Sequence, residues 1–313
     1  MSLPQFRSSG DLTADRRYDY ALALLKEGDA AAAADLVEQA LELTPNWVVG
    51  WFTLGTTRAD AGDKEGAIAA LAQALALDPA DSLGSRLHLA RLGATETPSE
   101  TAVAYVRDLF DDYAGRFDAA LVDGLQYRAP QLIAAGLRAI AGDRPFARCL
   151  DLGCGTGLMA AELKDVGAID GVDLSSGMIA EARAKGLYAD LEVGEVVEAM
   201  QRRAAASYEL VTAADVFCYF GALASAFGEV ARLLTPGGIV AFSVERIVTE
   251  DATADFELAE SLRFRHNQRY IERVLSDTRL TLKLCDEATL RFDRGLPVTG
   301  LVVVAQKASD KQN

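Results

Sequence analysis

A chain of 313 residues, half of them hydrophobic and a quarter charged, is about two ordinary globular domains long. A formal net charge of −15 disfavours nucleic acid and anionic membrane surfaces as partners, because binding them requires a basic stripe and a favourable long-range field. The two histidines and four cysteines (Cys149, Cys154, Cys218 and Cys285) form no C-x-x-C pair and no ligand spacing, which excludes a recognisable metal site and favours reduced thiols.

The first twenty residues carry scattered charge and no apolar core, which predicts no secretory signal and a cytoplasmic location. No stretch approaches the length of an apolar membrane span. A repeat follows. Trp51, Leu54, Gly55, Arg58, Ala67, Leu71, Ala74 and Pro79 match the spacing of a tetratricopeptide repeat. Stepping back 34 residues finds Arg17, Tyr20, Ala21, Leu24, Ala33, Val37, Ala40 and Pro45 at the same positions. Small residues at Gly55/Ala21 and Ala67/Ala33 let paired helices approach closely, and Gly28-Asp29 and Gly62-Asp63 occupy the same turn. Residues 1–93 are therefore expected to hold two repeats and a capping helix near 82–92. Such a unit offers a groove for a protein partner, or a face for packing and self-association. Residues 94–100, rich in turn formers, read as a linker to a second domain over 101–313.

Residues 101–142 read as two or three aromatic-rich helices. Strands are expected at 146–152, 168–173, 191–193, 208–213, 238–244, 280–285 and 298–305. Helices are expected at 158–166, 178–185 and 222–234, and 255–277 reads as largely helical. Strands alternating with helices imply right-handed crossovers and a parallel sheet, so the fold class is α/β behind an N-terminal all-α unit.

Chemistry in such sheets gathers at the carboxyl ends of the strands. The first strand runs into Asp151-Leu-Gly-Cys-Gly-Thr-Gly157, three glycines spaced by one residue, where backbone can approach a ligand that any Cβ would block. The helix behind it points its N-terminal amides at the same place. The second strand ends at Asp173, placed to accept both hydroxyls of a ribose. A dinucleotide fingerprint needs its third glycine one position later, where Leu158 stands, and no Lys-Ser/Thr follows the loop as in a phosphate-binding P-loop.

Residues 151–157 resemble motif I of the class I S-adenosylmethionine-dependent methyltransferases. Gly171-Val-Asp-Leu-Ser-Ser-Gly-Met178 resembles their second-strand motif, and Leu-Leu-Thr-Pro-Gly-Gly238 their entry to the fifth strand. The segment Phe110-Asp-Asp-Tyr-Ala-Gly-Arg-Phe-Asp118, running to Tyr127-Arg-Ala-Pro130 behind the repeats, is similar to a group of bacterial methyltransferases that carry tetratricopeptide repeats. The resemblance implies a Rossmann-like sheet of seven strands with the last antiparallel, and S-adenosylmethionine as cofactor. It implies that Asp151, Gly153, Cys154, Gly155 and Gly157 form the cofactor loop, with Gly153, Cys154 and Gly155 at the methionine end. Asp173 would hold the ribose, Leu174 and Met178 would pack on the adenine, and Glu195, next to Val196, would take the adenine amino group. Glu195 departs from the family's usual aspartate by one methylene. Asp215 would close the site near the sulfonium, and residues 101–142 would form a helical lid to which the cofactor-binding candidates Tyr113, Phe117 and Arg128 belong, with Tyr113 or Arg128 meeting the cofactor carboxylate.

For the acceptor, Tyr219, His266 and Tyr270 are candidate catalytic groups, although methyl transfer has no obligatory base. His266 reads first as a surface residue on a charged helix face. Arg263, Arg265, Arg269 and Arg273 are either a solvated helix face or a device that gathers an anionic acceptor. The expected activity is methyl transfer to a small molecule, including a carboxylate. The alternatives are a protein methyltransferase that recruits its substrate through the repeats, and a non-catalytic cofactor-binding scaffold.

Overall fold

The computed structural model describes residues 8–111, 113–119, 124–163, 166–248 and 253–309. Two positions of the expected helix at 158–166, and residues 112 and 120–123 of the expected lid, lie outside that set. The chain divides into two compact units, Met1–Val106 with Glu260–Leu262, and Arg107–Ala259 with Arg263–Asn313.

The first unit pairs α1 (Leu12–Glu27) with α2 (Ala30–Leu43), then α3 (Val48–Asp60) with α4 (Lys64–Leu77), and adds α5 (Ser85–Arg91). The same turn chemistry reverses the chain twice. Gly28 and Gly62 take positive φ, and Asp29 and Asp63 then accept backbone N–H groups of the next helix at 3.0 and 2.9 Å. Each such cap is worth about 1 kcal/mol. Ala21, Ala33 and Ala67 are completely buried, and a Cβ on Gly55 would sit 2.6 Å from Leu71 Cγ, so the helix seam needs small residues there.

The second unit is a mixed sheet covered on both faces. Its strands are β1 (Phe146–Leu152), β2 (Val166–Asp173), β3 (Asp190–Val193), β4 (Tyr208–Ala213), β5 (Leu234–Arg246), β6 (Phe256–Leu258), β7 (Phe264–His266), β8 (Leu280–Asp293) and β9 (Leu296–Lys307). β3, β2, β1, β4 and β5 lie side by side and parallel. β9 joins β5 antiparallel, with Ala241 opposite Val304, and β8 pairs outside β9. Side chains alternate strictly between two cores. Leu150, Leu152, Val211, Val240, Phe242 and Val303 pack toward α11 (Val196–Gln201), α12 (Ala224–Leu233) and α13 (Gln268–Asp277). Cys149, Leu210, Ile239, Ala241 and Val302 pack toward α8 (Ala129–Ala141) and α9 (Leu158–Glu162).

Two expectations are corrected. Nine strands are present among the described residues, because β6 and β7 extend the sheet past the end of β4, β7 pairing with β5 only at Glu245 and Arg246. Residues 255–277 are accordingly not one helical stretch: two short strands precede α13. Among the described residues no helix is long and apolar enough to cross a membrane.

Candidate active site

Parallel strands bring their carboxyl ends to one edge, and β1 lies between β2 and β4, where the chain winds off in both directions. Residues 153–157 fill that crevice between β1 and α9. Gly153 has φ of 57°, and a Cβ there would meet Val216 Cγ2 at 2.4 Å; Gly157 has φ of 93°, and a Cβ there would meet Tyr188 Cε2 at 3.0 Å. Both conformation and space thus demand glycine. The loop is tied down from behind. Cys154 N–H donates to the Val172 carbonyl at 2.9 Å, and Gly155 N–H donates to Asp173 Oδ2 at 2.8 Å.

Asp173 receives a second backbone donor, Ser175 N–H, on Oδ1 at 2.9 Å. Each oxygen keeps a further lone pair with which to accept a ribose hydroxyl. Burial raises its pKa, and the two amides pull it back. Asp151 lies deeper, 1% exposed, and accepts from Tyr188 Oη at 2.7 Å and Thr212 Oγ1 at 2.8 Å. Burial pushes its carboxyl up to about 6. Asp151 therefore ties β1 to β4 and to Tyr188, whose ring meets the Cβ position of Gly157. Burial also raises the Cys154 thiol above its ordinary value, which fits a backbone spacer and not a nucleophile.

Beyond the end of β2, Ser175 Oγ caps α10 (Ser176–Lys185) by accepting from Met178 N–H at 3.0 Å. Leu174 is half-buried, whereas Met178 has no exposed surface. Both oxygens of Glu195 cap α11, accepting from Val197 and Glu198 N–H at 2.9 and 2.8 Å, and Val196 is buried in the core.

A strap formed by the end of α6 (Val103–Asp111), a 3-10 turn (Ala114–Arg116) and α7 (Phe117–Ala119) lies against this cradle. Asp111 accepts from Ser175 Oγ at 2.5 Å and Gly177 N–H at 3.2 Å. Asp118 accepts from Thr156 Oγ1 at 2.5 Å and Lys185 Nζ at 2.6 Å. Phe117 Cε1 stands 3.8 Å from the Cβ position of Gly155. Tyr113 is half-buried in the turn, and Arg128 is exposed at the head of α8. Sequence reasoning missed Asp111, Asp118 and Tyr188: exposed-looking acids and a lone tyrosine carry no local signal of the groups they meet.

At the far end of the crevice, Asp215 takes φ of 57°, a conformation aspartate tolerates better than most residues. Its N–H donates to Ser243 Oγ at 3.0 Å, and that hydroxyl donates back to Oδ1 at 3.1 Å. Arg291, reaching in from β8, pairs with both Asp215 and the buried Glu245. Arg263 and Arg265 approach Glu245 at 3.7 and 4.0 Å. Tyr219 lies beside this cluster, edge-on to Phe110 at 5.7 Å and with the Arg263 guanidinium 5.6 Å over its ring.

The other two candidate catalytic groups lie elsewhere. Tyr270 accepts Leu223 N–H on its hydroxyl at 2.7 Å and stacks on His266, with centroids 6.1 Å apart. His266 is completely buried, not on a charged surface, because β7 turns it into the core, where Nε2 meets the Gly221 carbonyl at 3.2 Å. Burial pushes its pKa down to about 4. An unfolded histidine titrates near 6.5, so between about pH 6.5 and 4 the unfolded chain binds a proton that the folded chain refuses. His266 therefore withdraws stability as pH falls through that window and costs nothing above it. His266→Gln should lose about 2 kcal/mol less than wild type between pH 7 and 4.5 in denaturant titrations; identical losses would remove His266 from this role.

Comparison with known proteins follows the same lines. Residues 150–242 match the methyltransferase domain family, and residues 49–81 match the tetratricopeptide repeat. Human methyltransferase-like protein 27 is 42% identical over 87 residues, 27% of this chain and 35% of that protein. The malonyl-(acyl-carrier protein) O-methyltransferase of Enterobacter lignolyticus is 38% identical over 120 residues, 38% of this chain and 45% of that protein. The chain thus spans less than half the length of these two relatives. Among solved structures, a 1,6-didemethyltoxoflavin-N1-methyltransferase from Burkholderia thailandensis has a similar fold, with a TM-score of 0.51 at 18% identity over 69% of this chain and 94% of that one. The glycine spacing, the acid that anchors it and the antiparallel β9 next to β5 agree with these matches: residues 150–242 carry a methyltransferase domain similar to those of S-adenosylmethionine-dependent methyltransferases, behind a tetratricopeptide repeat at residues 49–81.

Proposed function

We propose that this protein transfers the methyl group of S-adenosylmethionine to a small-molecule acceptor that presents a carboxylate. One observation carries the cofactor assignment: Asp173 bonds the Gly155 amide, so the ribose-binding acid and the methionine-binding loop form one preorganised unit. Gly153, Cys154 and Gly155 line the methionine end, Asp173 holds the ribose, and Leu174, Glu195 and Val196 border the adenine with Met178 supporting them from inside. Asp215 stands at the sulfonium end. Tyr113, Phe117 and Arg128 belong to the cover, and the Phe117 ring over Gly155 shields the loop from water.

When bound, the cofactor supplies an electrophilic methyl carbon on a sulfonium. The protein's part is alignment and dryness, for which it uses the strap clipped by Asp111 and Asp118. One relative is, by its name, a malonyl-(acyl-carrier protein) O-methyltransferase, which supports a small acyl acceptor. The arginines beside Glu245 support an anionic one. The repeats, which expose Leu12 and Tyr20 on α1, are proposed to hold a protein partner or a second copy of the chain.

Calorimetric titration tests the central assignment. S-adenosylhomocysteine should bind one per chain with a dissociation constant on the order of micromolar, about −8 kcal/mol, and NADH should give no heat of binding. The reverse result would reject the assignment.

A further inference from the structure

The four arginines between residues 263 and 273 separate in the structure. Arg273 is exposed and spends its guanidinium on Asp255 at 2.6 Å, while Arg269 is exposed on α13. Arg263 and Arg265 instead face the buried Glu245, beside Asp215 at the acceptor end.

The two acids there are already matched. Arg291 is 6% exposed and pairs with Asp215 and Glu245 at once. Arg263 adds a second full positive charge at a looser 3.7 Å, and its guanidinium makes no hydrogen bond among the described residues. Its plane is propped by the Tyr219 ring, and its side chain is 27% exposed, so the guanidinium is held in one orientation with part of its surface left for an incoming group. Arg265 stands behind it, shared between Glu245 and Glu257 at 4.0 and 3.7 Å. A half-open, oriented guanidinium whose buried counter-charge is already neutralised suits a second carboxylate, bound by a planar fork.

Among the described residues here, His266 and Tyr270 are committed to the core, Asp215 is held by Arg291 and Ser243, and Tyr219 stacks under the Arg263 guanidinium. A carboxylate needs no proton acceptor. One of its oxygens attacks the methyl carbon, the O–C bond forms, the S–C bond breaks and its electron pair stays on sulfur, so anion and sulfonium become neutral ester and thioether with no proton moved.

Resting on the methyltransferase reading above, we infer that Arg263, braced by Tyr219, is the specificity-determining residue that binds and orients the acceptor's carboxylate, and that this carboxylate is itself the nucleophile.

The test uses the full-length protein with labelled S-adenosylmethionine and a set of monocarboxylates from acetate to octanoate plus benzoate, each paired with its primary amide. At least one acid should be methylated and its amide should not. For that acid, Arg263→Gln should raise KM about 10- to 100-fold, as expected for losing hydrogen bonds to a charged group, and Arg263→Lys should recover part of the loss. The rate constant kcat should stay flat from pH 7 to 9, since no base must ionise. Arg273→Gln should change nothing. S-adenosylhomocysteine affinity, measured on every variant, separates the two readings. If the wild type fails to bind it, the methyltransferase assignment falls. If it binds but no acid in the set is bound or methylated, if acid and amide react alike, or if Arg263→Gln leaves KM untouched, the role given to Arg263 is wrong.

Discussion

Replacing Asp173 by alanine is expected to weaken binding of S-adenosylhomocysteine at least about 100-fold. Two losses combine. On the proposed assignment the ribose hydroxyls lose a charged acceptor, and hydrogen bonds to a charged group are each worth roughly 1.5–3 kcal/mol. The glycine loop also loses its tether, because the same carboxylate accepts Gly155 and Ser175 N–H at 2.8 and 2.9 Å. Asparagine is not a conservative replacement here, since its NH2 group would have to face one of those two donors. Asp173→Asn should therefore fall well short of wild type. Calorimetry with S-adenosylhomocysteine, accompanied by a thermal melt of each variant, distinguishes the two losses. An alanine variant that melts lower yet binds within twofold of wild type would leave Asp173 as a loop anchor and take the ribose away from it.

Arg291→Met should destabilise the protein by about 3 kcal/mol, the largest stability effect expected from a single residue at the site. Methionine matches the length of the arginine stem, so packing changes little; what disappears is the charge shared by Asp215 and Glu245. Glu245 is 2% exposed and has nowhere to find water. The cost falls at the low end of the usual range for breaking a buried pair because Arg263 and Arg265 remain within 4.0 Å of Glu245. Urea unfolding followed by fluorescence reports the change. Adding Glu245→Gln to Arg291→Met should restore part of the stability, since it removes the charge left without a partner. If the double variant is no more stable than the single one, unpaired charge is not the cause and lost packing is.

Some features of this site are written locally and others are not. The glycine loop follows from residue identity alone: a chain that must take positive φ at residues 153, 155 and 157 within one turn leaves glycine as the natural choice, whatever the rest of the fold does. The tetratricopeptide turns are equally local, because Gly28-Asp29 and Gly62-Asp63 each end one helix and cap the next within two residues. Strands β1 and β4 begin and end where their apolar runs do. The segment 255–277 failed for the opposite reason. β6 and β7 are three residues each and exist only because β7 finds Glu245 and Arg246 at the end of β5. Nothing in a window around His266 shows that it faces a core built by Gly221 and Tyr270.

By itself, then, the sequence determined the cofactor half of the protein, since backbone conformation and the acid closing β2 are short-range properties. Only the tertiary structure decided how the charges around Glu245 are arranged. Arg291 meets its acids across 46 and 76 residues of chain, and of four clustered arginines it is the approach to Glu245 that sets Arg263 and Arg265 apart from Arg269 and Arg273. Charges that are neighbours in sequence were sorted by the low-dielectric core they could reach, and that sorting is a property of the folded chain.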